Sequence, residues 1–221
     1  MPRESAFNLL WREQGPLLVL IGVICVAFYV QNSNQLASID FMVVPEHVAT
    51  AWDSLLAGDF DLKAFVPLLS YAFLHGGIDH LLSNMLFLWI FAALAAELIG
   101  YRWMLLTFVI TAICGGVWHV VMNADGEIPM LGASGAVMGF EGLYLGMVTR
   151  WHLPNPHIWP MARPIPPAQL ALIGIMGLVM DYMGFMGGSL GVAYSAHLGG
   201  FIGGLVLGAL VVPMPQRAQP R

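Results

Sequence analysis

Charged residues are scarce in this sequence. They make up only 10% of its 221 residues, whereas a soluble domain carries about 25%. Hydrophobic residues make up 58%, and the mean hydropathy is +0.77. These proportions exclude a soluble enzyme, a nucleic-acid-binding protein and a disordered tail. Since a spanning helix needs ~20 apolar residues, the sequence predicts an all-α membrane protein that crosses the bilayer several times.

Cysteine is almost absent as well. Cys25 and Cys114 both lie inside apolar runs, which excludes a disulfide-rich secreted module, and they form no CxxC or zinc-binding spacing. The sequence has no HExxH motif, and His75, His80 and His197 lack a carboxylate ligand at a suitable spacing. We therefore predict no metal site.

Six apolar runs are candidate spans. They cover residues 16–30, 81–99, 103–122, 133–148, 168–185 and 192–212. Arg3 and Arg12 precede the first run, as in a signal peptide, but no small-x-small cleavage site follows promptly, so we predict a retained anchor. The sequence thus predicts an N-terminal segment 1–15, a six-helix membrane domain 16–212 and a C-terminal tail 213–221.

The basic residues predict the orientation of these spans. In a six-span arrangement Lys63 alone falls on one side, and the other side carries Arg3, Arg12, Arg102, Arg150, Arg163, Arg217 and Arg221. Because Lys and Arg are enriched in cytoplasmic loops, both termini are predicted to be cytoplasmic. The opposite, outer side carries Asp40, Glu46, Asp53, Asp59, Asp61, Asp125 and Glu127.

Three connecting segments differ in character. The outer loop 31–67 is long, and Pro45 and Glu46 within it are typical of a helix start. The apolar residues that follow at helical spacing are Val48, Trp52, Leu55 and Leu56. They predict a short amphipathic helix that lies in the outer interface, packs on the bundle, or does both. The proline-rich loop 150–167 is predicted to be irregular, and the glycine-rich loop 182–191 to be a mobile cap.

Polar side chains occur near the start of three predicted spans. His80 and Asn84 are four residues apart and share one helix face of the second span. Ser134 begins the fourth span, and His197 lies early in the sixth. In the predicted orientation all three spans run from outside to inside, which places these side chains roughly 5–10 Å below the outer surface. Because polar groups are costly in a membrane, all four are candidate functional residues.

Glycine faces predict a close approach of the fourth and sixth spans. The fourth span has Gly132, Gly135, Gly139, Gly142 and Gly146, and the sixth has Gly200, Gly204 and Gly208 on the face that begins at His197. Small residues at this spacing allow two backbones to pack closely. We therefore predict contact between Ser134 and His197. Ordinary helix packing is the alternative explanation for the glycines, and both can hold.

A serine beside a histidine supports nucleophilic catalysis. His197 can take the Ser134 proton as general base, and donors must then stabilise the oxyanion that forms. The candidate donors are the Asn84 amide, a His80 ring N–H and the Ser134 backbone N–H at a helix N-terminus. No acidic residue at this depth is an obvious third member, so the sequence predicts a Ser–His dyad.

At these residues the chain resembles the rhomboid intramembrane serine proteases, over about 67–207. The motifs that carry the resemblance are Phe73-Leu74-His75-Gly76-Gly77, His80-xxx-Asn84, Glu97 with Gly100, Gly132-Ala133-Ser134-Gly135-Ala136 and Ala196-His197-Leu198-Gly199-Gly200-Phe201. The resemblance implies a six-transmembrane-helix bundle, no cofactor, and hydrolysis of peptide bonds in or near transmembrane segments. It assigns the nucleophile to Ser134, the base to His197, and oxyanion roles to His80 and Asn84.

Residues around the predicted dyad have supporting roles or none assigned. His75 is expected to hold the outer loop, as in the resembling proteins, and Glu97 to form a structural hydrogen bond near the cytoplasmic boundary. Met138 stands where some family members have a tyrosine that stacks on the histidine, and its thioether can contact a ring edge. Glu141 and Asp181 are given no role.

Two other functional classes fit a polytopic membrane chain. One is a catalytically inactive rhomboid-like protein that binds membrane clients, although binding alone has no chemical need for Ser134 or His197. The other is a small transporter, for which repeat symmetry is expected and not found. The short tails and the lack of a transit peptide favour a bacterial inner membrane. The expected partners are lipid and single-span or polytopic membrane-protein substrates, not nucleic acid, with the active site toward the outer side.

Overall fold

The computed structural model describes residues 6–34, 38–59, 61–155, 166–186, 193–215 and 217–220, and most of them are helical. The longer helices are α1 (Ala6–Ser33), α2 (Pro45–Leu56), α3 (Ile78–Ile99), α4 (Tyr101–Met122), α5 (Ser134–Arg150), α6 (Pro167–Met186) and α7 (Tyr194–Val206). Shorter helical segments are Ile39–Phe41, Leu62–Phe65, Pro67–Ser70, Tyr71–Phe73 and Leu207–Val211, the last of which continues α7 as a π-helix.

Among the described residues, four helical segments are long and apolar enough to cross a membrane. They are Gln14–Ser33, Ile78–Ile99, Tyr101–Met122 and Tyr194–Val211, and they coincide with the first, second, third and sixth predicted runs. The fourth and fifth runs correspond to α5, of 17 residues, and α6, of 20 residues. An all-α chain with several apolar helices is therefore confirmed, whereas the count of six spans and their orientation stay predictions.

The ends of the predicted segments differ from the observed helices. Helix α1 begins at Ala6 and continues through Pro16, so the described part of the predicted segment 1–15 belongs to the same helix as the first run. At the other end, β1 (Trp151–His152) pairs antiparallel with β2 (Gln219–Pro220). The start of the loop predicted to be irregular is thus ordered by the C-terminal tail. Residues 156–165 of that loop, and 187–191 of the predicted cap, lie outside the described residues.

Helix α5 lies in the middle of the bundle. Its side chains from Gly135 to Tyr144 are all buried, and it contacts α3, α4, α6 and α7. Exposed apolar side chains lie instead on the surrounding helices, for example Val26 of α1, Leu82 of α3 and Met180 of α6. A central glycine-rich helix inside a ring of outward-facing apolar side chains is the arrangement expected of a bundle surrounded by lipid.

The outer loop contains the predicted helix, α2, which begins at Pro45. Val48 is buried, but Trp52 is 55% exposed and Leu56 73% exposed. An isolated bridge between Val43 and Met130 also ties the loop to the segment that precedes α5. The helix therefore packs on the bundle through one side and presents apolar residues outward through the other. Its packing on the bundle is observed, and its position in the outer interface stays a prediction.

Candidate active site

Ser134 and His197 meet at the start of two neighbouring helices. Ser134 is the first residue of α5, and His197 lies in the first turn of α7. The Nε2 atom of His197 lies 2.8 Å from Oγ of Ser134, which is hydrogen-bond distance. Both side chains are half-buried. The two groups that the sequence analysis required to meet are therefore in direct contact.

Glycines make this contact possible because α5 and α7 touch through their backbones. A methyl group built at Gly200 would overlap the carbonyl oxygen of Gly135, and one at Gly204 would overlap that of Gly139. A Cβ built at Gly139 would overlap the side chain of Thr111 of α4, not a residue of α7. The glycines of α5 thus serve two neighbouring helices, and those of α7 bring the His197 backbone toward Ser134.

Asn84, one of the residues predicted as oxyanion donors, borders the same cavity as Ser134 and His197. Asn84 is only 6% exposed, and its amide nitrogen has no hydrogen-bond partner among the described residues. A buried donor without a partner is costly, so this amide is a candidate donor to a bound group. Ala133, at the N-cap of α5, has no capping side chain, and the first backbone N–H groups of the helix are available as well.

Gly132 allows His80 to approach the same point. It has a φ of +126°, which side chains rarely permit, and a Cβ there would lie 2.7 Å from Cε1 of His80. The Cβ would also lie 3.8 Å from Nδ2 of Asn84. Glycine is therefore required at position 132 for its backbone conformation and for the contact with His80.

A cavity of about 390 Å³ lies beside Ser134, His197 and Asn84. It is bounded by residues of α3, α5, α6 and α7, namely Ser83, Asn84, Phe87, Ser134, Val137, Met138, Glu141, Ile173, Met176, Gly177, Met180 and His197. The volume falls within the range of small-molecule sites, about 300–1,000 Å³. Met138 shares this cavity with His197, but the aromatic ring against His197 is that of Tyr194, with centroids 6.1 Å apart and planes at 80°. Sequence reasoning missed Tyr194.

His75 is held through its backbone. The Gln31 side chain, at the end of α1, accepts a hydrogen bond from the His75 N–H at 3.0 Å and donates one to the His75 carbonyl at 2.9 Å. The imidazole is 1% exposed and lies edge-on to His80, with ring centroids 5.1 Å apart. Burial, followed by the neighbouring His80, lowers the pKa of His75 to about 4, so this ring is neutral at pH 7. Glu97 lies in the last turn of α3, far along the helix from Asn84, and is exposed.

A second serine–histidine contact lies on the other side of α7. Nδ1 of His119, in α4, is 2.7 Å from Oγ of Ser195. Asn123 donates to the His119 carbonyl at 2.9 Å and to the Ser195 hydroxyl at 3.3 Å. Sequence reasoning did not identify this contact, because nothing in the spacing of residues 76 positions apart indicates it. Among the described residues no group of three or more His, Cys, Asp and Glu could hold a metal ion.

Comparisons with known proteins identify the family of this chain. The Rhomboid domain family model matches residues 63–214, which is more than half of the chain, and the chain therefore belongs to the rhomboid family. RHOMBOID-like protein 5 of Arabidopsis thaliana is 31% identical over 150 residues, which are 67% of this chain and 45% of that protein. Rhomboid protease GlpG of Yersinia enterocolitica is 23% identical over 214 residues, 93% of this chain and 66% of that protein. The chain thus spans about half to two thirds of the length of these relatives.

Proposed function

We propose that this chain is an intramembrane serine endopeptidase that cleaves peptide bonds in or near the transmembrane segments of other membrane proteins. The observation that carries the proposal is the 2.8 Å contact between Ser134 Oγ and His197 Nε2. The contact borders a cavity that also contains the buried amide of Asn84. The family's protease members support the same activity.

The first half of the reaction uses the dyad. With its proton on Nδ1, His197 accepts the Ser134 hydroxyl proton at Nε2 while Oγ attacks the substrate carbonyl carbon. The Asn84 amide and the first N–H groups of α5 donate to the developing oxyanion, and His80 is the third candidate donor. As the tetrahedral intermediate collapses, the imidazolium returns the proton to the leaving amine, and an ester to Ser134 remains.

The second half repeats these steps with water. His197 takes a proton from a water molecule, the resulting hydroxide attacks the ester carbonyl, and the same donors stabilise the second oxyanion. Collapse frees the new carboxyl terminus and returns the proton to Ser134 Oγ. The chemistry needs no metal or organic cofactor, because the base, the nucleophile and the donors are all side chains or backbone groups of this chain.

The proposal includes the membrane topology. Residues 16–212 form a six-span domain with the tails 1–15 and 213–221 in the cytoplasm, and the cavity faces the outer side of a bacterial inner membrane. The separation of basic from acidic loop residues supports this orientation. His75 and Glu97 are assigned structural roles, as are Gly135, Gly139, Gly200 and Gly204, whose backbones or neighbours leave no room for a side chain.

The test is cleavage of a membrane-anchored reporter by the full chain in proteoliposomes. Wild type is expected to release the reporter fragment, and Ser134→Ala and His197→Ala are expected to release none while remaining folded. Equal cleavage by Ser134→Ala would remove the proposal. Capture of the intact reporter by wild type, without cleavage under any condition, would instead favour the inactive rhomboid-like protein that binds membrane clients.

A further inference from the structure

Two apolar cavities lie side by side where the outer loop packs on α4, and neither is lined by Ser134 or His197. The first, of about 500 Å³, lies between α2 and the C-terminal end of α4. The second, of about 580 Å³, lies between the segment 62–73 and Ile113 of α4. Phe65 and Leu68 line both cavities, so they form a ridge between them. Two cavities that share such a ridge can accept one ligand that has two chains.

A stripe of apolar side chains on α4 connects the two cavities. Val109, Ile113, Val117 and Val121 recur at intervals of four residues, so they lie along one face of the helix, and all of them are exposed. Val117 and Val121 line the first cavity, and Ile113 lines the second. The stripe is about 18 Å long, close to the ~15 Å depth of one leaflet of a bilayer. Its length and chemistry therefore match the acyl chains of a single lipid.

Opposite charges stand beside these apolar walls. The described residues that line the first cavity are all apolar except Asp53, which is exposed. Lys63 is the one Lys or Arg of the outer loop 31–67. It lies in the segment Leu62–Phe65, which contacts α2, and the Phe65 ring lies edge-on to that of Trp52 with centroids 6.2 Å apart. We propose that the two cavities hold one phosphatidylethanolamine molecule, with its ammonium group at Asp53 and its phosphate at Lys63.

The headgroup chemistry separates phosphatidylethanolamine from other phospholipids. Its primary ammonium group donates charge-assisted hydrogen bonds to a carboxylate such as that of Asp53. The trimethylammonium group of phosphatidylcholine has no N–H to donate. Phosphatidylglycerol has no cation, and its net negative charge is repelled by the acid. This lipid site goes beyond the proposed function and does not depend on it, because it uses no residue of the proposed reaction.

The first measurement uses the wild-type chain alone. The full chain is reconstituted with equal amounts of phosphatidylethanolamine, phosphatidylcholine and phosphatidylglycerol that carry the same acyl chains, and the lipid that it retains in detergent is identified by native mass spectrometry. Phosphatidylethanolamine is expected to be retained about two- to fivefold more than either competitor, the range for an exposed pair of opposite charges. The preference is expected to shrink in about 1 M salt, which screens such pairs. Equal retention of the three lipids, or no retained lipid, overturns the proposal.

Charge variants then test where the headgroup lies. Asp53→Asn keeps the shape and removes the charge, and it is expected to make retention of the three lipids equal. Lys63→Gln is expected to lower retention of all three, because each carries a phosphate. Asp59→Asn is the matched control, since Asp59 is an exposed acid of the same loop that lines neither cavity, and it is expected to behave as wild type. A preference unchanged by Asp53→Asn, or a total retention unchanged by Lys63→Gln, overturns the proposal.

A larger side chain in the groove tests the seat of the acyl chains. Val117→Trp is expected to reduce retention of every lipid, whatever its headgroup, because it fills the first cavity. Val26→Trp places the same ring on α1, at an outward-facing valine that is 63% exposed, and is expected to leave retention unchanged. Wild-type retention by Val117→Trp overturns the proposal. If that variant does not fold, as judged by its melting temperature, the charge variants decide. Reporter cleavage by the same preparations reports on the proposed function separately.

Discussion

Two serine–histidine contacts lie on opposite sides of the start of α7, and their surroundings differ. The oxygen–nitrogen distances are nearly equal, 2.8 Å for Ser134 and His197 and 2.7 Å for Ser195 and His119. The two contacts differ in the hydrogen bonding of the neighbouring amide side chain. Asn123 already donates to the His119 carbonyl and the Ser195 hydroxyl, whereas the amide nitrogen of Asn84 has no partner among the described residues.

Proximity of a hydroxyl and an imidazole does not by itself make a reactive site. The Ser195 cluster satisfies its own hydrogen bonds and ties α4 to α7. Ser195 is also absent from the lining of the cavity that contains Ser134. The Ser134 cluster keeps a donor and a space for a group from outside. Of the two clusters, that cluster therefore fits the proposed reaction, which needs donors for a developing negative charge.

The first test compares alanine substitutions of the two serines. Ser134→Ala is expected to reduce reporter cleavage by about 10³-fold or more, because the nucleophile is lost. Ser195→Ala, the matched control, is expected to stay within about threefold of wild type. Fluorophosphonate labelling followed by mass spectrometry should modify Ser134 and not Ser195. Labelling of Ser195 in the wild type would contradict the proposal that Ser134 is the reactive serine of the two.

The two amides provide the second test. Asn84→Ala is expected to lower kcat by about 10²–10³-fold, the effect of removing one oxyanion donor, with a smaller change in KM. Asn123→Ala is expected to leave kcat nearly unchanged and to lower the melting temperature slightly, because it removes hydrogen bonds between α4 and α7. Steady-state kinetics and thermal unfolding on the same preparations separate these results. A kcat for Asn84→Ala equal to that of wild type would contradict its assignment.

Adjacent glycines of α7 allow the two contacts to be disturbed separately. Gly200 lies against the Gly135 carbonyl of α5, and Gly199 lies against Trp118 and the Cys114 carbonyl of α4. Alanine at either position overpacks an interface, at a cost of about 1–3 kcal/mol. Gly200→Ala is expected to reduce activity by more than its loss of stability explains. Gly199→Ala is expected to reduce activity only in proportion to its loss of stability.

The matched control for these glycines lies in α1. A Cβ at Gly22 would have no neighbour within 4 Å, so Gly22→Ala is expected to leave activity and melting temperature unchanged or slightly raised. Equal activity per folded molecule for Gly199→Ala and Gly200→Ala would show that backbone contact between α5 and α7 does not set the dyad geometry.

The last comparison concerns His75, whose expected effect is on stability and not on the reaction. Its folded-state pKa of about 4 lies below the ordinary value of about 6.5. The neutral ring therefore contributes stability at pH 7 that is lost as the pH falls from about 6.5 toward 4, up to about 3 kcal/mol. His75→Gln cannot titrate, so its melting temperature is expected to fall less between pH 7 and pH 4.5 than that of wild type. An identical fall in both proteins would contradict the burial argument.

Much of this arrangement is predictable because it depends on local pattern. Runs of apolar residues predicted the helices, and Pro45 predicted the start of α2. Glycine spacing predicted the approach of Ser134 to His197, since small residues at helical intervals permit backbone contact whatever the partner. The edge-to-face contact of Tyr194 with His197 and the hydrogen bonds of Gln31 to the His75 backbone were not predicted. The residues of the latter pair are 44 positions apart, and ordinary polar side chains give no signal of such a distant partner.

Hydropathy and helix periodicity are properties of neighbouring residues. The apolar environment, the helices and the residue types available for chemistry were therefore predictable from the sequence alone. Tertiary packing sets which serine meets which histidine beside the cavity. It also leaves the Asn84 amide nitrogen without a hydrogen-bond partner among the described residues. It also placed Glu141 beside Gly174 and Gly177 of α6. These outcomes depend on how helices distant in sequence rotate and pack against one another, and hydropathy does not specify that rotation.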